Sequence, residues 1–242
     1  KLLPVPYTRP RPWMRRRALM LLVLAIPLLV PTRAAQQRLP HANRVAPLPG
    51  PGVLARAVPA HLWPCKGGNL LRNGRSPRAG PTNISFAAWE FTVPGGDARR
   101  GHIEASPLID RDSNVYLGST TGYVYALGRD GSELWTAFEP ARVLTGALGA
   151  DSLFVATSGG VALALDLATG GERWRTHYCR LAGGDAWSVT HADGVVVVAG
   201  NELGRGEEGN NVVIALRARD GGPLWSFRPA AALFNFAPAV TG

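Results

Sequence analysis

From residue 105 onward, the chain consists of short apolar segments with alternating polar positions, separated by turn residues. The first group comprises residues 105–109, 114–118, 123–127 and 133–137, with Asp, Gly, Ser and Thr between the segments. Segments of this length, joined by hairpin-forming residues, predict four short antiparallel β-strands. No amphipathic helical pattern competes with them after residue 85. We therefore predict an all-β protein.

Two further groups repeat this pattern. They comprise residues 153–156, 161–165 and 173–175, and residues 195–199, 212–215 and 224–227. A spacing of about 40 residues between the groups is the size of one four-stranded propeller blade. The tail 237–240 has the pattern of a first strand. The sequence predicts a β-propeller with about three blades, the start of a fourth and an incomplete ring, which we interpret as an amino-terminal fragment.

The three groups share a sequence signature around the last turn, which is complete only in the second group; Gly128 and Arg217 stand where the second group has Asp166. The recurring residues are Ala126 and Trp135, then Ala164, Asp166, Thr169, Gly170 and Trp174, then Ala215 and Trp225. The complete signature of the second group resembles the repeat of the pyrroloquinoline-quinone (PQQ) type propellers. Residues 64–77 also resemble the segment that precedes the first blade in that family. The resemblance implies that the tryptophans pack between neighbouring blades and that the strand around Trp89 closes the ring.

The PQQ-type family also includes dehydrogenases, and this implies a chemistry to look for. Those enzymes need a Ca²⁺ held by carboxylate and amide oxygens, a catalytic carboxylate and usually two adjacent cysteines over the quinone. No Cys-Cys pair occurs here. The candidate oxygen ligands, which are Asp110, Asp112, Asp166 and Asp193, each lie beside a turn, where Asp ordinarily bonds its own backbone. We therefore expect a non-catalytic scaffold without a cofactor, which binds a protein or ligand; the alternative is the propeller of a PQQ-dependent alcohol or sugar dehydrogenase.

Metal and thiol chemistry receive little support from residue spacing. The five histidines show no His-x-x-x-His spacing, and no Cys-x-x-Cys motif accompanies them, so we expect no metal site. In an oxidising compartment, Cys65 and Cys179 either form a disulfide or remain two unrelated thiols.

Residues 1–35 have the anatomy of a targeting leader, with its core at 14–35. Three arginines precede a 13-residue apolar run from Ala18 to Val30, and small residues follow. The run is short for a spanning helix, which needs about 20 residues. We expect a secreted, periplasmic or organelle-lumen protein with a cleaved signal peptide; an uncleaved signal anchor is the alternative.

The excess positive charge lies outside the predicted blades. Residues 1–89 contain 14 Lys and Arg and no Asp or Glu, whereas residues 90–242 contain 12 Lys and Arg against 17 Asp and Glu. A nucleic-acid interface requires a basic patch on the folded module, so this distribution argues against one.

Residues 36–62 are rich in proline and predict a disordered linker. A pre-blade segment with a closing strand then spans 63–103, and the blades span 104–242.

A polar insertion distinguishes the third group from the other two. It lies between the second and third strands and includes Asn201, Glu207, Glu208 and Asn211. Loops on a rigid scaffold often carry binding sites, so this insertion is the candidate contact for a protein partner; a solvated loop without function is the alternative.

Asn83 begins an Asn-Ile-Ser triplet, which is a glycosylation acceptor in a eukaryotic secretory compartment.

Overall fold

The computed structural model describes residues 60–76, 78–80, 82, 85, 87–93, 101–183, 187–202 and 209–240. The leader, almost all of the linker and Asn83 lie outside these residues. The described residues belong to one compact unit. All regular secondary structure within them is β-strand. No helix in this part of the chain is both long and apolar enough to cross a membrane.

Twelve strands run through the described residues. They are β1 (Leu108–Ile109), β2 (Val115–Gly118), β3 (Tyr123–Leu127), β4 (Glu133–Phe138), β5 (Ala147–Leu148), β6 (Ser152–Ala156), β7 (Val161–Asp166), β8 (Glu172–His177), β9 (Thr190–Ala192), β10 (Val195–Gly200), β11 (Val212–Arg217) and β12 (Pro223–Phe227).

The strands form three separate four-stranded antiparallel sheets, each in chain order. We call them the first, second and third blades. The predicted all-β propeller is confirmed, and the three blades do not close a ring. The insertion lies between β10 and β11, as predicted. The sequence pattern missed β5 and β9, because strands of two and three residues are too short to show an alternation.

The blades are joined by a tryptophan contact that recurs along the chain. Trp135 of the first blade and Trp174 of the second are 8% and 9% exposed. The Nε1–H of Trp135 donates to the carbonyl oxygen of Leu167 at 2.9 Å, and that of Trp174 donates to Ala218 at 2.8 Å. Both acceptors lie in the turn between the third and fourth strands of the following blade. Each indole therefore fixes the position of the next blade.

The turns that receive these indoles each contain a glycine at positive φ. Gly170 has φ +72° and Gly221 has φ +70°. A Cβ on either residue would lie 2.6 Å from the indole of Trp135 or Trp174, respectively. Two separate reasons therefore require glycine at each position: the positive φ of the backbone and the close approach of the ring.

Trp89 makes the same contact with the first blade. Its Nε1–H donates to the carbonyl oxygen of Arg129 at 2.9 Å, and its ring lies against Gly131, which has φ +83°. Phe91 in the same segment packs on Tyr125, with ring centroids 5.1 Å apart. Residues 87–93 thus occupy the position that the outer strand of a preceding blade would take.

Trp225 differs from the other repeat tryptophans, since its side chain is 50% exposed. We expected it to pack between blades. In the described part of the chain, no blade beyond the third covers β12, so the ring of Trp225 has no turn to enter.

An ion pair with a buried carboxylate also crosses from the first blade to the second. Glu139, which follows β4, is 6% exposed and binds Arg175 of β8 through both carboxylate oxygens. Arg175 also binds Glu172, and these two carboxylates raise its pKa above the ordinary value for arginine. A charge-assisted pair with two parallel hydrogen bonds fixes orientation as well as distance. This ion pair joins the two blades at the end of β4 that lies away from the tryptophan-binding turn.

We predict that Gly221→Ala destabilises the protein by about 2–5 kcal/mol, because the methyl group would meet the Trp174 ring in addition to the strain of positive φ. Gly194→Ala is the matched control. Gly194 has φ +75° but open space around its Cβ position. Its replacement should cost only the conformational strain of about 1–2 kcal/mol. Denaturant unfolding measures both; equal losses would show that the indole does not limit the turn.

Candidate functional site

Residues 61–74, which we call the axial segment, contact the innermost strand of each blade. The backbone N–H and carbonyl of Trp63 bond with those of Ile109 in β1, at 2.9 and 3.0 Å. The N–H of Leu148 in β5 donates to the carbonyl of Pro64 at 2.8 Å. Since the innermost strands of a propeller surround its central channel, the axial segment lies in that channel.

Arg72 extends this contact to the third blade and beyond it. Its guanidinium donates to the carbonyl of Lys66, to Oγ1 of Thr190 in β9 and to the carbonyl of Pro238. The N–H of Val240 donates to the carbonyl of Leu70 at 3.0 Å. Burial lowers the pKa of Arg72. Sequence reasoning missed Arg72, because nothing in a single arginine at a loop position indicates partners as distant in sequence as Thr190 and Pro238.

The axial segment lies toward one of the two faces of the propeller. We define the turn face by the hairpin turns 110–114, 149–151 and 193–194 and by the tryptophan-binding turns. We define the loop face, at the opposite strand ends, by the described residues of the connections, which are 119–122, 139–145, 157–160, 178–183, 187–188, 201–202 and 209–211. His61 donates from Nε2 to the carbonyl of Gly149 at 2.6 Å, which is in a hairpin turn. The first residues of the axial segment therefore lie at the turn face.

On the loop face, two buried asparagines hold the base of the insertion. Asn201 and Asn210 are 1% and 0% exposed. The Nδ2 of Asn201 donates to the carbonyl of Gly209 at 2.7 Å, and Oδ1 of Asn210 accepts from the N–H of Gly183 at 2.8 Å. Trp187, also fully buried, donates from Nε1 to the carbonyl of Gly183 at 3.1 Å. These bonds join the insertion to the connection before the third blade.

The residues predicted as partner contacts therefore have different roles. Asn201 is buried and cannot meet a partner directly. Asn211 accepts a hydrogen bond through Oδ1 from the N–H of Glu202 at 3.0 Å, so it too shapes the base of the insertion. Glu207 and Glu208 lie outside the described residues. Glu202 and Arg228, both partly exposed, form an ion pair of 2.7 Å beside this base.

The candidate oxygen ligands are engaged in their own turns. Oδ1 of Asp166 accepts from the N–H groups of Ala168 and Thr169, each at 3.0 Å, and its Oδ2 accepts from Arg173 at 2.6 Å. Arg173, together with Thr169, lowers the pKa of Asp166 to about 2. This is how the Thr-Gly turn of the repeat is held closed.

Asp110 closes a different turn, the hairpin between β1 and β2 of the first blade. Its carboxylate accepts from the N–H groups of Asp112 and Asn114, from Nδ2 of Asn114 and from the hydroxyl of Tyr116, at 2.8 to 3.0 Å. Burial, reinforced by the charge of Asp110, raises the pKa of Tyr116. Asp193 lies in a hairpin turn at φ +48°. Among the residues that the structure describes, no three His, Cys, Asp or Glu side chains converge as metal ligands.

Cys65 and Cys179 are both free and buried, so the disulfide considered from the sequence is not formed. Cys65 pairs through its backbone with Ala147 of the innermost strand β5. The thiol of Cys179 donates to the carbonyl of Leu181 at 2.8 Å, on the loop face. Burial raises the pKa of both thiols, that of Cys179 to about 11.

The chain matches a family model described as outer membrane protein assembly factor BamB, over residues 87–176 and 120–241. It belongs to this family of PQQ-like propellers. The matched ranges begin at the segment of Trp89 and end after the third blade. No curated protein matches the chain.

Solved structures with a similar fold include two dehydrogenases. A europium-containing methanol dehydrogenase superimposes with a TM-score of 0.57 and 20% identity, covering 69% of this chain and 32% of that one. The quinohemoprotein alcohol dehydrogenase of Comamonas testosteroni gives 0.55 and 21%, covering 69% and 27%. BamB from Moraxella catarrhalis gives 0.44 and 20%, covering 53% and 38%. The chain thus spans well under half the length of each of these proteins.

We predict that neither cysteine of the native protein reacts with iodoacetamide at pH 8. With a pKa near 11, Cys179 would have about a hundredfold less thiolate than an ordinary cysteine. Mass spectrometry should show two alkylated cysteines only after unfolding in guanidinium. Alkylation of the native protein at the unfolded rate would contradict the burial of the thiols. A native mass 2 Da below that of the dithiol would instead establish the disulfide.

Proposed function

We propose that this protein is a non-catalytic scaffold that binds a partner protein on its loop face. The observation that carries the proposal is the base of the insertion between β10 and β11. Fully buried asparagine side chains hold this base, and buried polar groups with satisfied hydrogen bonds specify one conformation. The residues of this base are therefore fixed before a partner binds, which reduces the entropic cost of ordering them on association.

The chemistry beside the insertion also suits a protein partner. Glu202, which pairs with Arg228, lines one cleft together with Tyr178 and with Leu224, which is 43% exposed. Protein interfaces combine apolar anchors with a polar rim in this way.

Membership of this family also supports the proposal that the protein is a scaffold. The matching family model is described as an assembly factor of the outer membrane. An assembly factor works through protein contacts, and we extend this general role to the present chain without naming its partner. The same relationship favours an extracytoplasmic location, in agreement with the leader at residues 14–35.

A PQQ-dependent dehydrogenase is the second candidate function. Its specific support is the fold similarity to the two dehydrogenases, which reaches TM-scores of 0.55 and 0.57. This similarity lies in the blades, and a fold alone does not determine function. The turn-bonded state of Asp110 and Asp166 favours the scaffold, because carboxylates committed to backbone N–H groups are poor candidates for binding a cation as well.

Site-specific photo-crosslinking tests the scaffold. A benzophenone amino acid replaces Arg228 on the loop face or, as a control, Arg129 on the turn face. We expect one discrete protein adduct from position 228 and none from position 129. Replacing residues 203–208 with a Gly-Ser linker should abolish the adduct without changing the thermal midpoint. Adducts from position 129 alone, or an adduct that survives the linker replacement, would contradict a loop-face site.

Quinone titration tests the second candidate. The protein, purified at its natural length, is mixed with PQQ and Ca²⁺ and followed by quinone absorbance and by dye-coupled alcohol oxidation. We expect no stoichiometric binding, because the turn aspartates are already engaged. Saturable one-to-one binding with Ca²⁺-dependent turnover would replace the scaffold with a dehydrogenase.

A further inference from the structure

Two clefts on the turn face separate the three blades, and they carry opposite charge. The cleft between the first and second blades, which we call the acidic cleft, has a volume of about 300 Å³. The cleft between the second and third blades, which we call the basic cleft, has a volume of about 640 Å³. The larger cleft falls within the range of small-ligand sites, which is about 300–1,000 Å³.

The acidic cleft is lined by four aspartates, which are Asp110, Asp112, Asp151 and Asp166, against one arginine, Arg111, and His61. The basic cleft is lined by three arginines, which are Arg173, Arg217 and Arg219, against one aspartate, Asp151, and His191. Burial lowers the pKa of His191, so this side chain adds no charge to the basic cleft at neutral pH. The two clefts are built from equivalent strands and turns, so the difference lies in the side chains.

One position accounts for much of this reversal. Asp166 ends β7 and Arg217 ends β11, so both are the last residue of the third strand in their blades. Each is followed by the turn that receives a tryptophan. Asp166 lines the acidic cleft, and Arg217 lines the basic cleft. The third blade therefore has a cation at the place where the second has a carboxylate.

The arginines of the basic cleft are not equally neutralised. Arg173 binds Asp151 at 2.8 Å and Asp166 at 2.6 Å, so two carboxylates face its single positive charge. Arg217 and Arg219 share a single carboxylate, that of Asp220, at 3.1 and 3.3 Å. Their side chains are 42% and 81% exposed. One positive charge at the mouth of the cleft thus has no carboxylate of its own.

The hydrogen bonds of these two guanidinium groups leave most donors open. Within the described part of the chain, the side chains of Arg217 and Arg219 each donate to Asp220 from Nε. The paired amino groups of a guanidinium match the two oxygens of a carboxylate. Each arginine can therefore receive a second carboxylate without releasing Asp220.

The inner wall of the basic cleft is aromatic. Phe154 lies with its ring centroid 4.7 Å from that of His191 and 6.0 Å from that of Trp174. All three side chains line the cleft. An apolar wall with a few polar groups at the mouth is the usual composition of a small-ligand site.

We propose that the basic cleft binds a carboxylate carried on an aromatic or apolar body. The carboxylate pairs with Arg217 and Arg219, and the body packs on the wall formed by Phe154, His191 and Trp174. The ligand is a small organic acid or an acidic residue of a peptide, which share this chemistry. The site lies on the turn face and does not depend on the scaffold function of the loop face.

Titration with phenylacetate, followed by NMR of the protein, tests this site. Phenylacetamide is the neutral control probe, because it has the same shape without the charge. We expect saturable shifts with phenylacetate, weakened by salt, and at least tenfold weaker binding of phenylacetamide. The blocked dipeptide acetyl-Asp-Phe-amide distinguishes a peptide ligand from a small organic acid. Tighter binding of the dipeptide assigns a peptide ligand, and tighter binding of phenylacetate assigns a small acid.

Arg217→Asp is the decisive variant, since it introduces the residue that the second blade has at the equivalent position and should therefore preserve the turn. We expect at least a tenfold loss of phenylacetate affinity with an unchanged thermal midpoint. Arg129→Asp, in the turn of the first blade and outside the cleft, should bind as the unmodified protein does. If Arg217→Asp does not fold, Arg219→Gln at the exposed mouth should give a loss of at least threefold.

Three results would overturn the site. These are no saturable binding of phenylacetate by the unmodified protein, equal binding of phenylacetate and phenylacetamide, and undiminished binding by folded Arg217→Asp.

Discussion

The insertion of one indole into the turn of the next blade is the contact on which the architecture depends. It occurs for Trp89, Trp135 and Trp174, each with a hydrogen bond to a turn carbonyl and a glycine at positive φ beneath the ring. The contact joins apolar burial to a directional bond, so it fixes both the distance and the rotation between neighbouring sheets. Blades positioned in this way bring their innermost strands together around the axial segment, and their hairpin turns and connections onto two opposite faces. The clefts and the base of the insertion are consequences of that arrangement.

The repeat was predictable because its physical causes are local. Alternating segments of four to six residues and Gly-containing turns are visible in sequence, and the Ala164 to Trp174 signature resembles a known family. The pattern could not reveal β5 and β9, which are too short to alternate. The packing predicted for Trp225 stays a prediction, because the burial of an indole depends on the following blade and not on its own strand. Local sequence therefore identified the sheets better than it identified their surroundings.

The candidate sites were less predictable, because they depend on contacts between distant residues. Asn201 was expected to meet a partner, yet its side chain is buried and holds the base of the insertion. Arg72 and Asn210 drew no attention in sequence, because an isolated arginine or asparagine has no spacing to interpret. Arg217 was noted only as a departure from the repeat. Its place in a candidate binding site became apparent only from the structure, in which it occupies the position equivalent to Asp166, in a cleft of opposite charge.

A double-mutant cycle between Trp174 and Gly221 tests most directly whether the indole and the turn act as one unit. Trp174→Ala, Gly221→Ala and the double variant are unfolded in denaturant, and their free energies of unfolding are compared. Once the ring is removed, the added methyl group has no indole to meet, so the double variant should lose less stability than the sum of the single variants. We expect a coupling free energy of about 1–3 kcal/mol. Losses that add to within about 0.5 kcal/mol would show that the two residues act independently, and would contradict the account of how the blades are joined.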